Sequence, residues 1–597
     1  MILVIEIVCC SILFAILLIW RIKTKPEWKI QDMPKVLQKK VVRKREYRRK
    51  NFKIFTEKEK TLKRLPFYIL SVVLLTVMMW FAGARSFAKG FIYSFLLCVI
   101  VKLVCVLVID CGWYAHNKKV WIDGTEELAP KSYQNYRYYF GTIPRAMLIA
   151  AFMAVFTGFF VDIMPRMEND NYADKYTEVN DILNEAVKNY KVPGISVMVV
   201  DSEGILFSDN YGKCKSSQTP FVVGALGKSF TASCIMKLSR EGSLRLEHTV
   251  DRYVDAKKYF KDPSDAKKIT IRQLLNNTSG LGVYQHLGNA KIVNKNGQYT
   301  YANINYDLLG KVIESVTGET YNEYLTKNIL KPLGMYNTSA DERTAKENGL
   351  IQGYRNYFGV NLPSAAEFPD EDSWATESAG YITSSAADMG KYLQMFLRGG
   401  YGVVSEKGIS TMLYNRVPTE KSGKYQYGMG WLYTDEYVEP VFNHSGRAQN
   451  YMSSMYLLPE SDMGIVILAD TNDYLVTNDL MDQISNKVML TLLGHAAKEL
   501  DPYAYEDSHM IINLIYIALV LVGIVEIIRA RKWKRNTEGN MIINIFLHLL
   551  LPTAIMLLPV IIGVPYWVIW EYARDSFIVL TLSAFLLYIG GLMKLKK

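Results

Sequence analysis

The sequence predicts an α+β domain, an antiparallel sheet plus a helical subdomain, inserted between transmembrane helices, four N-terminal and three C-terminal. Three observations carry this. Seven apolar stretches are long enough as helices to cross a bilayer core of ~30 Å. The formal net charge of +11 is concentrated in one place, because residues 21–64 hold 18 Lys+Arg against 5 Asp+Glu. Between about 165 and 509, strand-like alternation gathers at the two ends around a helical, loop-rich middle. With 597 residues, half of them apolar and 12% aromatic, the chain exceeds a single small domain and excludes wholesale disorder.

The apolar stretches fall at 2–20, 65–82, 90–109, 146–161, 510–528, 541–562 and 576–592. No positive segment precedes the first, and its flanking charge, RIKTK, follows it, so it reads as a retained span with its N-terminus outside. Placing 21–64 in the cytoplasm puts Lys118, Lys119, Lys131, Arg137 and Arg145 there too. The same parity brings in Arg529, Arg531, Lys532, Lys534 and Arg535, and the tail Lys594, Lys596 and Lys597. The expected organisation is therefore a membrane region 1–164, an extracytoplasmic domain 165–509 and a membrane region 510–597, in a multi-pass protein of the cell membrane. The basic stretch reads as a topology determinant attracted to anionic headgroups, at ~1 kcal/mol per residue near the surface. No nucleic-acid partner is expected. Glu6, Lys102 and Glu526 lie in or near span ends; an interface position suits Glu6 and Glu526, whereas Lys102 sits deeper. Spans without a visible repeat argue against a transporter.

Only Cys214 and Cys234 of the seven cysteines belong to the outer domain, so a disulfide framework is not expected, although a 214–234 bridge stays open. The seven histidines form no H-E-x-x-H cluster, and no metal or other cofactor is expected.

The outer domain opens with a helix at about 174–190 and turns at VPG, 192–194. The strands ISVMVVD and ILFSDN follow, then a helix beginning near Ala225. Towards the end, VFNHSG, SSMYLLP and MGIVILAD read as three more strands, followed by a helix at about 479–493. One antiparallel sheet assembled from both ends of the domain results, with candidate catalytic groups between sheet and helices.

The run PFVVGALGKSFTASCIMKLSREGSLRLEHTVDRYV, 220–254, resembles the first motif, S-x-x-K at a helix N-terminus, of the serine β-lactamase-like and penicillin-binding-protein superfamily (class C β-lactamases, D-aminopeptidases, S12-type serine peptidases). Further resemblances follow in order: ITIRQLLNNTSGL at 269–281, Tyr301-Ala302-Asn303, SAGYITSSAADMGKYLQMFL at 378–397, YGMGW at 427–431, and His444-Ser445-Gly446 in the place of K-T-G. Together they cover about 175–495. The resemblance implies a β-lactamase/penicillin-binding-protein-like fold and acyl transfer to a hydroxyl nucleophile.

The chemistry of these residues is explicit. Positions i and i+3 of a helix share a face at ~5–6 Å, so residue 225 and Lys228 point into one cleft. A buried lysine loses its proton more readily and can serve as base. Tyr301 would pass a proton to the leaving group, and Asn303 would orient Lys228 or the substrate. The backbone of His444, Ser445 and Gly446 would line the substrate, Gly446 permitting close approach. The N–H groups of residue 225 and Arg447 would form an oxyanion hole, each donor contributing ~2.7–4 kcal/mol to barrier lowering. Lys421-Ser422-Gly423 mimics K-T-G, but its polar, turn-like context argues against it.

The position where the resemblance requires serine is Ala225, whose methyl group cannot attack a carbonyl. Ser229 follows the lysine and faces elsewhere. Two readings fit, an inactivating Ser→Ala substitution in a competent hydrolase or a natural pseudoenzyme, and the retention of Lys228, Tyr301, Asn303 and His444-Ser445-Gly446 favours the first. The expected partners are the lipid bilayer and a peptide-like, acylated small-molecule or cell-wall substrate. The three trailing helices also look like those of membrane-bound peptidases that mature prodrug natural products, although four N-terminal spans are extra here. D-alanyl carboxypeptidase or esterase action on the cell wall, and a ligand-binding membrane sensor, are the alternatives.

Overall fold

The computed structural model describes residues 2–595 other than 26–28, 45–46, 49–52, 83, 85–86, 164–173, 371–372, 438 and 532–540. It divides into two compact units, Met1–Asp170 and Asn171–Lys597. Among the described residues, seven helices are long and apolar enough to cross a membrane: Ile7–Thr24, Glu59–Trp80, Phe87–Tyr114 and Tyr136–Val161 in the first unit, and Ala504–Arg531, Met541–Ile561 and Arg574–Leu595 in the second.

The first unit holds more than spans. Ile30, Met33, Leu37 and Val41, dispersed among the basic residues, pack with Tyr114, Trp121, Tyr133 and Tyr139 into a buried cluster. Lys29 Nζ lies 2.5 Å from Asp110 Oδ1 beneath it. The basic stretch is therefore in part a folded segment. Its apolar positions recur at the three- and four-residue spacing of an amphipathic helix, realised at Lys35–Arg43. The side chain of Glu6 lies outside the described residues.

The second unit is organised by an eight-stranded sheet in the order Ile205–Gly212, Gly194–Val200, Met463–Ala469, Met452–Leu458, Val441–Arg447, Trp431–Thr434, Tyr425–Gly428, Val417–Pro418. Its paired strands are antiparallel. The alternation of strand side chains divides the core. Ile195, Val197, Val199, Ile465 and Ile467 turn to one face, under the helices Lys175–Asn189 and Thr477–Leu492. Met198, Val200, Val466 and Leu468 turn to the other, against the helical part that contains Gly227–Arg240 and Asn303–Thr317. Helices thus cover both faces, and the cleft of interest lies on the second. Cys214 and Cys234 are both buried free thiols.

The C-terminal helices belong to this same unit. A hairpin of Gly353–Tyr357 and Val360–Ser364 docks against the N-terminal turns of Ala504–Arg531 and Arg574–Leu595. There Phe358 N donates to Asp575 Oδ2 (3.1 Å), Asn513 Nδ2 to Phe358 O (2.9 Å), Tyr505 OH to Gly359 O (3.0 Å), and Arg355 reaches Glu571 at 3.4 Å. Glu526 is buried, and Lys594 and Arg529, each at 2.8 Å, pair with its carboxylate.

Candidate active site

Residues 220–228 run from the strand Pro220–Val222 through a 3₁₀ turn, Gly224–Leu226, into the helix Gly227–Arg240. Ala225 therefore occupies a tight turn and the α-helix proper starts two residues later than expected. Gly224 makes the turn possible. Its φ of +55° suits glycine, and a Cβ there would lie 2.6 Å from Arg447 N and 2.9 Å from the Gly446 carbonyl carbon. Gly446 is matched to it, since a Cβ at that position would run into Val223 O and Ser453 Oγ. The turn and the strand Val441–Arg447 thus meet backbone to backbone, which brings Arg447 N beside the Gly224–Leu226 turn.

Lys228 is fully buried. Its Nζ donates to Asn303 Oδ1 and to Ala379 O, each at 2.7 Å, and sits 4.9 Å from the Tyr301 ring centre and 5.7 Å from that of Tyr306. Burial lowers its pKa from the ordinary ammonium range, and the charge of Asp307 partly restores it. Burial of this kind favours the neutral amine over the ammonium. Two further contacts seat its helix: a Cβ at Gly430 would lie 2.7 Å from Ser229 N, and Ser229 Oγ donates to Leu226 O at 2.8 Å, spent on its own backbone.

Tyr301 and Asn303 are held by the NNTSGL segment. Asn277, at φ +54°, accepts Ala302 N (3.2 Å) and Asn305 Nδ2 (2.7 Å) on its side chain and Thr300 N (2.8 Å) on its backbone carbonyl. Ser279 Oγ donates to Asn305 Oδ1 at 2.6 Å. Enclosure, with Tyr427 and Tyr299 nearby, raises the Tyr301 phenol well above its ordinary pKa, so it keeps its proton.

On the strand Val441–Arg447, alternation turns Phe442, His444 and Gly446 toward the helical part and Ser445 and Arg447 to the other face, where the Arg447 guanidinium pairs with Asp482. Ser445 and Arg447 accordingly offer the cleft their backbone and not their side chains. The strand pairs over Phe442–Arg447 with one neighbour but only over Val441–Asn443 with the other. Among the described residues, 444–447 have no strand partner on that second side. His444 is buried, and its Nδ1 meets Ser445 O at 2.8 Å while Nε2 has no hydrogen-bond partner among the described residues. Its ring lies 6.2 Å from those of Tyr301 and Tyr427. Burial and the Lys228 charge hold its pKa down at about 3, so it is a neutral imidazole. Donation by Nδ1 leaves Nε2 as an acceptor.

The structure brings Ala225, Lys228, Tyr301, Asn303, His444 and the backbone of Ser445, Gly446 and Arg447 together. Lys421-Ser422-Gly423 lies instead at a hairpin tip between Val417–Pro418 and Tyr425–Gly428. Sequence reasoning gave no role to Tyr306 and Tyr427, whose hydroxyls meet at 3.1 Å beside the lysine, or to the Ala379 carbonyl. The strings Y-A-N-I-N-Y, YGMGW and SAGY contained them without marking them as site residues.

The beta-lactamase family model matches residues 179–484. The chain is 27% identical over 389 residues to Protein flp of Staphylococcus aureus (strain MRSA252), covering 59% of this chain and 74% of that protein. It is 26% identical over 334 residues to the putative penicillin-binding protein PbpX of Bacillus subtilis (strain 168), covering 51% and 77%. Among solved structures, the octameric penicillin-binding protein homologue from Pyrococcus abyssi is similar with a TM-score of 0.47 and 26% identity, over 55% of this chain and 80% of that one. The chain belongs to the beta-lactamase family, within the β-lactamase/penicillin-binding-protein-like superfamily.

Proposed function

We propose that this is a membrane-anchored serine-hydrolase-type protein whose cleft, outside the cytoplasmic membrane, is built to cleave an amide through an acyl-enzyme. With Ala225 in the nucleophile's place, this chain binds the substrate without forming that intermediate. One observation carries the reading: Lys228, wholly buried, is held between Asn303 Oδ1 and Ala379 O beside Tyr301, directly behind the Ala225 turn.

In the serine-bearing form, the hydroxyl at position 225 gives its proton to neutral Lys228 as its oxygen bonds the substrate carbonyl carbon. The oxygen of that carbonyl takes the charge under the N–H groups of residues 225 and 447. Tyr301 then protonates the leaving nitrogen as the C–N bond breaks, and is reprotonated from Lys228. Water repeats the sequence on the ester, releasing the acid. The 444–447 edge would hold the acyl chain in register meanwhile.

The substrates in view are a peptide-like or acylated small molecule, as for prodrug-maturing peptidases, or a D-alanyl amide or ester of the cell wall. The membrane side follows from the positive-inside pattern. A second reading, a natural pseudoenzyme that senses a ligand for the membrane helices, draws on the docking of the 353–364 hairpin against the N-terminal turns of Ala504–Arg531 and Arg574–Leu595. Fluorescent penicillin and a fluorophosphonate, applied to full-length A225S in membranes, separate the two. Covalent labelling supports the hydrolase, and a well-folded but unlabelled A225S supports the sensor.

A further inference from the structure

We propose that Asp307 is a positioning residue for Lys228: it pins the 376–379 turn to the helix Asn303–Thr317, so that the Ala379 carbonyl stays on the lysine, and it sets a carboxylate behind the ammonium. The inference rests on the functional reading above for its activity arm and on geometry alone for its structural arm. Asn303, Asp307 and Gly310 form one stripe of that helix at i, i+4 and i+7. Asn303 takes Lys228 at 2.7 Å. Asp307 Oδ1 accepts both the N–H (2.8 Å) and the Oγ1 (2.7 Å) of Thr376. At Gly310 a Cβ would lie 2.8 Å from Ser378 Cβ, so the glycine lets the turn approach the helix closely. On its other side the turn is gripped by the helix Gly227–Arg240, with Thr231 Oγ1 on Ser378 O (2.6 Å) and Lys228 on Ala379 O (2.7 Å). Lys228 thus spans a turn that Asp307 anchors.

Asp307 is fully buried and its Oδ2 has no hydrogen-bond partner among the described residues. A single structural acceptor would need no charge there, and an amide would serve. Burial raises its pKa while Lys228 lowers it, and the same pairing works in reverse on the lysine. The other ionisable groups near the pair are Glu377 beside Asp307, Tyr301 and Tyr306 over Lys228, and His444. The tyrosines and the histidine are neutral, so Asp307 is the buried counter-charge of the lysine.

The experiment compares the pH dependence of fluorescent-penicillin labelling for full-length A225S, A225S/D307N and A225S/T376V. D307N keeps an acceptor for Thr376 but removes the charge, so Lys228 deprotonates more easily and the midpoint of the rising limb moves about one pH unit lower. T376V keeps the charge but removes the clasp, so the plateau rate falls about tenfold with the midpoint unmoved. An unmoved midpoint in A225S/D307N, or a T376V curve that overlies its parent, overturns the proposal. If A225S is not labelled at any pH, the functional reading fails, and Asp307 is tested in the Ala225 chain by thermal unfolding. There D307L, which loses the acceptor for Thr376, must lower the melting temperature of the parent, and D307N, which keeps that acceptor, must recover most of the loss. Equal melting temperatures for D307L and D307N overturn the proposal.

Discussion

The Lys228 ammonium nitrogen and the Asn303 side-chain oxygen, 75 residues apart in sequence, are 2.7 Å apart in the buried floor of the cleft. This contact joins the start of the Asn303–Thr317 helix to the helix behind Ala225, and it fixes where the lysine points. In A225S, replacing Asn303 by Leu removes the acceptor while keeping the volume. The acylation rate with fluorescent penicillin should fall by about a hundredfold, and Asn303→Asp should recover part of it while shifting the pH midpoint upward, as an added carboxylate stabilises the ammonium.

Neutral His444 predicts a silent titration. Its pKa is held at about 3, so a limb near neutrality in the labelling profile belongs to Lys228. In A225S/H444Q the midpoint should stay where the parent has it, while the substrate concentration for half-maximal rate rises, because Nε2 is lost as an acceptor. Stopped-flow labelling across pH checks both.

Asp470 should make the protein less stable at alkaline pH. It is fully buried at the end of the strand Met463–Ala469, accepts Gly194 N at 2.7 Å, and has its pKa raised to about 7 by burial. A carboxyl raised on folding contributes stability that is complete below its unfolded pKa and is lost as pH rises through about 7. D470N keeps the acceptor and has nothing to ionise, so its melting temperature should decline less between pH ~5 and ~8 than that of the parent.

Close backbone approach makes two glycines intolerant. A methyl at Gly446 meets Val223 O and Ser453 Oγ, and one at Gly430, whose φ is +92°, meets the Ser229 backbone. Each alanine variant should lose about 1–3 kcal/mol by chemical denaturation. In A225S, G446A should also lose labelling out of proportion to its stability, since it parts the turn from the oxyanion strand.

Much of this was legible in the chain. The central strands alternate cleanly because each face buries against helices, and the family resemblance carried by Ala225 and Lys228, Tyr301 and Asn303, and His444-Ser445-Gly446 named residues that lie together. What escaped was polar and aperiodic. The hairpin 353–364 is rich in Tyr and Asn and carries no alternating apolar signal, yet it docks the C-terminal helices. Asp307 looks like any acidic residue on an amphipathic helix until Thr376, 69 positions on, is seen to donate to it. In the basic stretch, Ile30, Met33, Leu37 and Val41 were masked by the charge around them.

The central claim is that the cleft was shaped around a hydroxyl at position 225 and a proton-accepting Lys228. Intact-protein mass and peptide mapping of full-length A225S and A225S/K228A, after incubation with a β-lactam, test it most directly. The account predicts one acyl adduct at position 225 in A225S, reduced at least about a hundredfold in rate when the lysine is gone. An adduct that forms equally well without Lys228, or that maps to another residue, contradicts it.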